Sequence, residues 1–219
     1  MVAFITFEGI DGSGKSTQLR MLASVLRLRG LDVVVTREPG GTRLGARLRD
    51  VLLDAEEQVD PLAELLVFAA DRAQHVRQLV RPALDTGHIV LSERYADATI
   101  AYQGAGRGFP APLVEEVVAL ATGGLMPDLT LIFDVSVSEG RARHQRRTDD
   151  GTPGDRLDAE ADDFHARVRE AYLQIASADP ERVRVIDAAR SVEETHTSVL
   201  EIVLPLIETR DQRSKVRGQ

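Results

Sequence analysis

Residues Gly9 to Ser16 read Gly-Ile-Asp-Gly-Ser-Gly-Lys-Ser, a full match to G-x-x-x-x-G-K-[ST], between the apolar run Ala3 to Phe7 and a helix-period stretch. No other feature constrains the chain as much, because a strand, a glycine-rich turn and a helix must follow one another there. Gly9, Gly12 and Gly14 let the backbone through Ile10, Asp11 and Ser13 wrap an anion, with successive N–H groups pointing inward. The following helix opens at Lys15, Ser16 and Thr17 and adds the favourable end of its dipole. In such a loop Lys15 reaches the β- and γ-phosphates of a nucleoside triphosphate such as ATP, and the Ser16 hydroxyl ligates Mg²⁺. Lys15 and Lys215 are the two lysines among 27 basic residues. A chain that uses arginine nearly everywhere thus places one of its two ammonium groups where a compact point charge is needed.

Five apolar segments read as buried strands: Ala3 to Phe7, Asp32 to Thr36, Ile89 to Ser92, Leu129 to Val135 and Val183 to Ile186. They are continuous rather than alternating, the pattern of a parallel sheet covered on both faces. Helix-period stripes lie between them: Leu19, Leu22, Ala23, Leu26; then Leu62, Leu65, Leu66, Ala69; then Phe164, Val168, Ala171, Tyr172, Ile175. Strand alternating with helix predicts an α/β fold, a five-stranded parallel sheet of the P-loop NTPase type flanked by helices. No internal repeat or linker divides the chain, so residues 1–208 read as one domain and the polar stretch 209–219 as a disordered tail. The breaker-rich run Asp149 to Asp155, with arginines on both sides, reads as a loop.

Composition excludes several classes. There is no cysteine, so disulfides, thiolate metal sites and a cysteine nucleophile are out, and the expected compartment is a reducing one, the cytoplasm. The five histidines show no metal-ligand spacing. A net charge of -8 argues against nucleic acid as a partner. No apolar run is long enough for a membrane span, and Met1 to Ile5 lacks the basic start of a signal peptide. There is no asparagine, so the Asn-Lys-x-Asp guanine motif of switch GTPases cannot be written. Gly104 to Gly108 resembles a dinucleotide fingerprint only in spacing; with no strand before it, it reads as a flexible turn.

In open parallel sheets ligands bind beyond the carboxyl ends of the strands. The polar residues gather there. The phosphate loop follows the first strand, Arg37-Glu38-Pro39-Gly40-Gly41 the second, Glu93-Arg94-Tyr95 the third, and Asp187 to Arg190 the fifth, while Asp134 closes the fourth. Arginines at two strand ends suit a second phosphate, that of an acceptor, because a guanidinium fork fixes orientation as well as charge. Phe68 and Arg72 stand four apart on one helix face, where a ring can stack on a base while a guanidinium bonds its edge. Asp11 and Glu93 are the candidate carboxylates. Glu93 would hold Mg²⁺ through water, and Asp11 lies near the reacting oxygens.

Thr36 to Gly41, Phe68-Ala69-Ala70-Asp71-Arg72, and Arg94-Tyr95 through Ala101-Tyr102-Gln103-Gly104 resemble the signature blocks of bacterial thymidylate kinases, with landmarks from Phe7 to about Ala189. The resemblance implies transfer of the γ-phosphoryl of ATP to dTMP, usually in a homodimer, with the helix from Pro61 to Leu84 as a contact. It implies that Phe68 stacks on thymine and Arg72 bonds a thymine oxygen. Arg94, Arg37 and Arg49 would hold the acceptor phosphate beside Glu38. Thr99 and Gln103 would hydrogen-bond the base, and Tyr102 would pack near the sugar. One branch of the family carries an arginine within the phosphate loop; here Gly12 and Ser13 occupy that stretch. The other places arginines on a mobile lid, and residues 141–158 look like one. Arg147 and Arg156 are then candidates for the clamp on the transferring phosphoryl, Arg143 for an adenine contact, and Arg146 lies beside them.

Three positions depart from the family pattern. Glu93 stands for the usual aspartate, which displaces metal or phosphate geometry by one methylene. Ala98 replaces a serine beside the acceptor, and Asp158 replaces a glutamate after Arg156-Leu157. Two other readings remain at this point: a deoxynucleoside kinase of related fold, with Glu93 as base toward a 5′-hydroxyl, and a non-catalytic nucleotide sensor.

Overall fold

Alternation along the first strand sets up both the core and the floor of the site. In β1 (Ala3–Glu8), Ala3, Ile5 and Phe7 point into one hydrophobic cluster, while Phe4, Thr6 and Glu8 point to the opposite face, and all six are buried. The structure, a computed structural model, describes residues 2–53, 58–149, 156–157 and 160–217, with side chains for all of these except 147–149 and 210–217.

Among the described residues β1 joins β2 (Val33–Arg37), β3 (Ile89–Glu93), β4 (Leu129–Asp134) and β5 (Val183–Asp187) in one parallel sheet of order β2-β3-β1-β4-β5. The α/β parallel sheet expected from the sequence is therefore present. Most strands run one residue further than their apolar segment and end on a charged side chain: Glu8, Arg37, Glu93 or Asp187. The ladder carries these groups to the rim, where the ligand crevice of an open sheet lies.

The helices are α1 (Lys15–Leu28), α2 (Arg43–Leu53), α3 (Pro61–His75), α4 (Arg81–Asp85), α5 (Ala96–Thr99), α6 (Ala111–Thr122), α7 (Val137–Asp149), α8 (Asp162–Ala178) and α9 (Val192–Arg217). The Asp60 carboxylate caps α3 by accepting from the Leu62 N–H at 2.8 Å, with Pro61 pre-set for the first turn. A π-helical segment, Val76–Val80, carries α3 into α4, and another, Ile100–Gly106, prolongs α5.

Of the stripe Leu62, Leu65, Leu66, Ala69, Leu65 is buried, but Leu62 is 48% and Leu66 53% exposed. The inward face of α3 is instead largely polar, carrying Glu64, Asp71, Arg72 and His75, so site chemistry rather than core packing sets the helix's rotation. Gly104 to Gly106 is helical rather than a flexible turn. A Cβ on Gly106 would meet the Phe164 ring at 2.6 Å, so its glycine serves close packing against α8. The backbone of α9 is helical to Arg217.

Candidate active site

The phosphate loop crosses from β1 to α1 in conformations that need glycine. Gly9 has φ +133°, and a Cβ there would meet the Phe133 carbonyl oxygen at 2.5 Å; Gly12, φ +78°, lies directly against Gly140 of α7. Lys15 Nζ is turned back into the loop, donating to the Ile10 carbonyl and to Asp11 Oδ1, both at 3.2 Å. From the end of β3, Arg94 Nη2 donates to both Asp11 oxygens, at 2.9 and 2.8 Å, and to the Tyr102 hydroxyl at 3.0 Å. Its guanidinium also lies over the Tyr102 ring, 4.7 Å from the centroid. Burial alone would raise the Asp11 carboxyl, but Arg94 and Lys15 hold it well below the usual carboxylate range.

Arg94 has φ +65°, a left-handed conformation that costs a non-glycine residue energy unless its surroundings hold it. The surroundings do so through Glu8. Its Oε1 accepts from the Tyr95 N–H at 2.7 Å and its Oε2 from the Tyr172 hydroxyl at 2.8 Å, and Arg94 Nη1 reaches that same hydroxyl at 3.5 Å. Burial, with Asp97 adding to it, pushes the Glu8 carboxyl up to about 8.

Ser16 Oγ donates to Glu93 Oε1 at 2.8 Å, so the two expected metal-side oxygens do meet. A hydroxyl and a carboxylate beside a phosphate loop fit Mg²⁺, which binds through few protein oxygens and completes its shell with phosphate and water. One cavity of about 540 Å³ extends from Asp11, Ser16 and Glu93 past Arg94 to Phe68, Arg72 and Gln103. Arg37, Glu38, Arg49, Ala98, Thr99 and Tyr102 also line it. The substrate-side residues expected from the sequence are thus brought to a single space.

At the far end Arg72 is a keystone, 2% exposed. Its Nε donates to Glu38 Oε2, its Nη1 to Thr99 Oγ1 and its Nη2 to the Tyr95 carbonyl, each at 2.8 Å. That uses three of its five N–H groups. Glu38 also accepts from His75 Nδ1 at 2.7 Å, and Thr36 Oγ1 meets the other ring nitrogen at 2.7 Å. Burial would raise the Glu38 carboxyl, yet Arg72 and His75 hold it below its ordinary value. Gln103 Nε2 donates to Glu64 Oε1 at 2.8 Å. Arg49 Nη1 donates to the Pro39 carbonyl at 3.1 Å, which ties α2 to the turn after β2.

The lid residues are placed less simply. Arg143 donates to the Ala188 carbonyl at 2.8 Å, just past β5, and pairs with Glu139. The Arg147 side chain and Asp158 lie outside the described residues. Arg156, expected over the phosphate loop, instead donates to the Leu52 carbonyl at 3.2 Å and to Glu64 Oε2 at 2.6 Å, at the acceptor end. There the fully buried Glu64 carboxylate accepts from its guanidinium. Arg20 and His144 also line the cavity and were missed by sequence reasoning, as was Glu64 behind it. Arg20 is one helical turn after Ser16, and Glu64 one turn before Phe68. The i, i+4 rule could have found both.

Comparison with known proteins gives one consistent result. The family model described as thymidylate kinase matches residues 7–199. Thymidylate kinases of Nitratidesulfovibrio vulgaris and Deinococcus radiodurans are 51% and 48% identical to this chain, covering 91% and 90% of it and 95% and 93% of their own lengths. The crystal structure of thymidylate kinase from Ehrlichia chaffeensis matches with a TM-score of 0.75 and 36% identity, covering 93% of this chain and 98% of that one.

Proposed function

Because the chain belongs to the thymidylate kinase family, and so transfers the γ-phosphoryl of ATP to dTMP to give dTDP and ADP, we propose which of its side chains perform each part of that transfer. One observation carries the assignment: a single cavity joins the phosphate loop to a base-sized space walled by Phe68, Arg72 and Gln103, with Arg94 on Asp11 between them.

ATP binds with its phosphates on the backbone of Gly9 to Thr17. Lys15 neutralises the β- and γ-oxygens, and Arg143 stands near the loop after β5 where the adenine is expected. Ser16 and Glu93 would hold Mg²⁺, which when bound offsets charge on the bridging phosphates. The thymine stacks on Phe68, takes a donor from Arg72 at its 4-oxygen, and is bordered by Thr99 and Gln103. Glu38 acts through Arg72, which it aims. Tyr102 packs beside the deoxyribose.

Arg94, with Arg37 and Arg49 at the rim, grips the dTMP phosphate. Asp11 keeps the Arg94 guanidinium facing the gap between the two phosphates. Phosphoryl transfer to an anionic oxygen needs little beyond positioning and charge neutralisation. No base is required, and Asp11, held low by two cations, is a poor one. This same point disfavours a 5′-hydroxyl acceptor, as does the engagement of Glu93 with Ser16. Arg147 is left as the lid arginine assigned to the transferring phosphoryl; Arg156 belongs to the acceptor side unless it leaves Glu64.

The proposed assembly is a homodimer contacting through α3, on which Leu62 and Leu66 are exposed. The proposed location is the cytoplasm; among the described residues no helix is long and apolar enough to cross a membrane. ADP release measured over a panel of nucleoside monophosphates tests the assignment: dTMP should be preferred, and equal use of dCMP would refute it.

A further inference from the structure

Glu64, Phe68 and Arg72 stand at i, i+4 and i+8 on α3, so one face of that helix presents all three to the acceptor end. Phe68 and Arg72 line the cavity. Glu64 does not; it is fully buried behind it. Its two oxygens accept four hydrogen bonds. Gln103 Nε2 at 2.8 Å and Arg107 Nε at 3.1 Å meet Oε1, and Arg107 Nη2 at 2.9 Å and Arg156 Nη2 at 2.6 Å meet Oε2. Arg107 is itself braced, with Nη1 on Glu160 at 2.5 Å and its guanidinium 4.9 Å from the centroid of the Phe164 ring.

A carboxylate saturated in this way by two guanidinium groups is ionised, and an ionised carboxylate can only accept. Burial opposes the charge, but the bonds from Arg107, Gln103 and Arg156 outweigh it and lower the Glu64 carboxyl. The consequence falls on Gln103. Its amide must turn nitrogen toward Glu64, since the flipped form would set oxygen against oxygen in a buried place. That leaves Gln103 Oε1 as the acceptor on the cavity side, in the space that Arg72 also lines.

We propose that Glu64 is a specificity-determining positioning residue, which fixes the Gln103 amide so that the site accepts a pyrimidine whose N3 carries a proton. This rests on the assignment of Phe68, Arg72 and Gln103 to the base pocket. A pyrimidine-2,4-dione offers an acceptor at position 4 and a donor at N3, matching Arg72 and the oriented Gln103. A 4-aminopyrimidine offers the reverse at both atoms. Arg72 can reject it at the exocyclic group; Glu64 adds rejection at the ring nitrogen without touching the base.

The test is the ratio of dissociation constants for dTMP and dCMP, by calorimetric titration of the full chain. Glu64→Gln keeps the shape but can donate, so it permits the flipped Gln103. It should reduce the preference for dTMP by about tenfold, the effect of one mispaired buried hydrogen bond, with ATP affinity changed less than about twofold. In the Gln103→Leu background the same substitution should change the ratio no further. A ratio unchanged by Glu64→Gln, including an equal loss for both nucleotides as a merely structural role predicts, overturns the proposal. Wild-type protein without preference for dTMP would instead refute the base-pocket assignment itself. If Glu64→Gln does not fold, the Gln103 carboxamide signals of the wild type decide: one proton should be shifted downfield and protected from exchange, and two freely exchanging protons overturn the proposal.

Discussion

Arg94 and Asp11 form a closed pair in which one guanidinium nitrogen lies 2.9 and 2.8 Å from the two carboxylate oxygens, although Arg94 holds a backbone φ of +65° to reach it. Strain at a strand end and a charged pair across a cavity point to the same thing: the guanidinium is placed for a ligand before one arrives. Asp11→Asn keeps the shape and removes the charge that aims Arg94. The turnover number for dTMP should fall at least about tenfold, roughly 1.4 kcal/mol of barrier, with ATP affinity nearly kept. Steady-state kinetics with both substrates checks it, and unaltered turnover would show that Asp11 is only a solvated loop acid.

Ser16 Oγ donates to Glu93 Oε1 at 2.8 Å, which sets hydroxyl and carboxylate side by side at the phosphate loop, where the proposed Mg²⁺ would be held. Glu93→Ala should therefore raise the Mg²⁺ concentration for half-maximal activity by about tenfold, the usual penalty for losing an outer-sphere partner. A magnesium titration at saturating ATP and dTMP reads this directly. Loss of activity that no added magnesium relieves would assign Glu93 to a different task.

Glu8 supplies a pH prediction. Its carboxyl is pushed from its ordinary 4.5 up to about 8 by burial, Asp97 adding to this and Arg94, Tyr172 and the Tyr95 N–H opposing it. The neutral acid is the form the fold prefers. Its contribution is full below the ordinary value and is lost as pH climbs from about 4.5 to about 8. Glu8→Gln stays neutral and can still accept from Tyr95. The wild-type melting temperature should therefore fall relative to the variant over that interval, and two parallel curves in a thermal-shift series would contradict the account.

Arg72 joins recognition to stability. Arg72→Ala removes the proposed base contact, but it also strands the buried Glu38 carboxylate, and breaking such a pair costs about 3–5 kcal/mol. Denaturant unfolding should show a loss of that order alongside weaker dTMP binding. Weak binding at unchanged stability would mean Glu38 finds another partner, with His75 on its other oxygen the nearest.

The fold was largely legible because continuous apolar strands and one glycine-rich turn each have few alternatives. The phosphate loop, Glu93 and Arg94 could be placed from motif and strand-end position, and Phe68 only through the family resemblance. The stripe on α3 says that the helix has two faces but not which one the site claims. Glu64 stands where the i, i+4 rule points, but the rule assigns it no role. It lies one turn from Phe68, but its importance arises from Gln103, Arg107 and Arg156, 39, 43 and 92 positions away along the chain. Nothing in the sequence singles out Glu8, because a burial-driven shift requires knowing what surrounds it. Arg156 illustrates the opposite case: the lid resemblance suggested a role for it at the phosphate loop, and the structure pairs it with the buried Glu64 carboxylate.

Whether the acceptor is a phosphate gripped by Arg94 is the most direct question. It is answered by steady-state ADP release with dTMP and with thymidine, each for wild-type protein and Arg94→Met. The account predicts turnover with dTMP, none above background with thymidine, and a loss of at least about a hundredfold in kcat/KM for dTMP in the variant, near 2.7 kcal/mol. Equal turnover with thymidine, or a variant that uses dTMP as well as the wild type does, would contradict it.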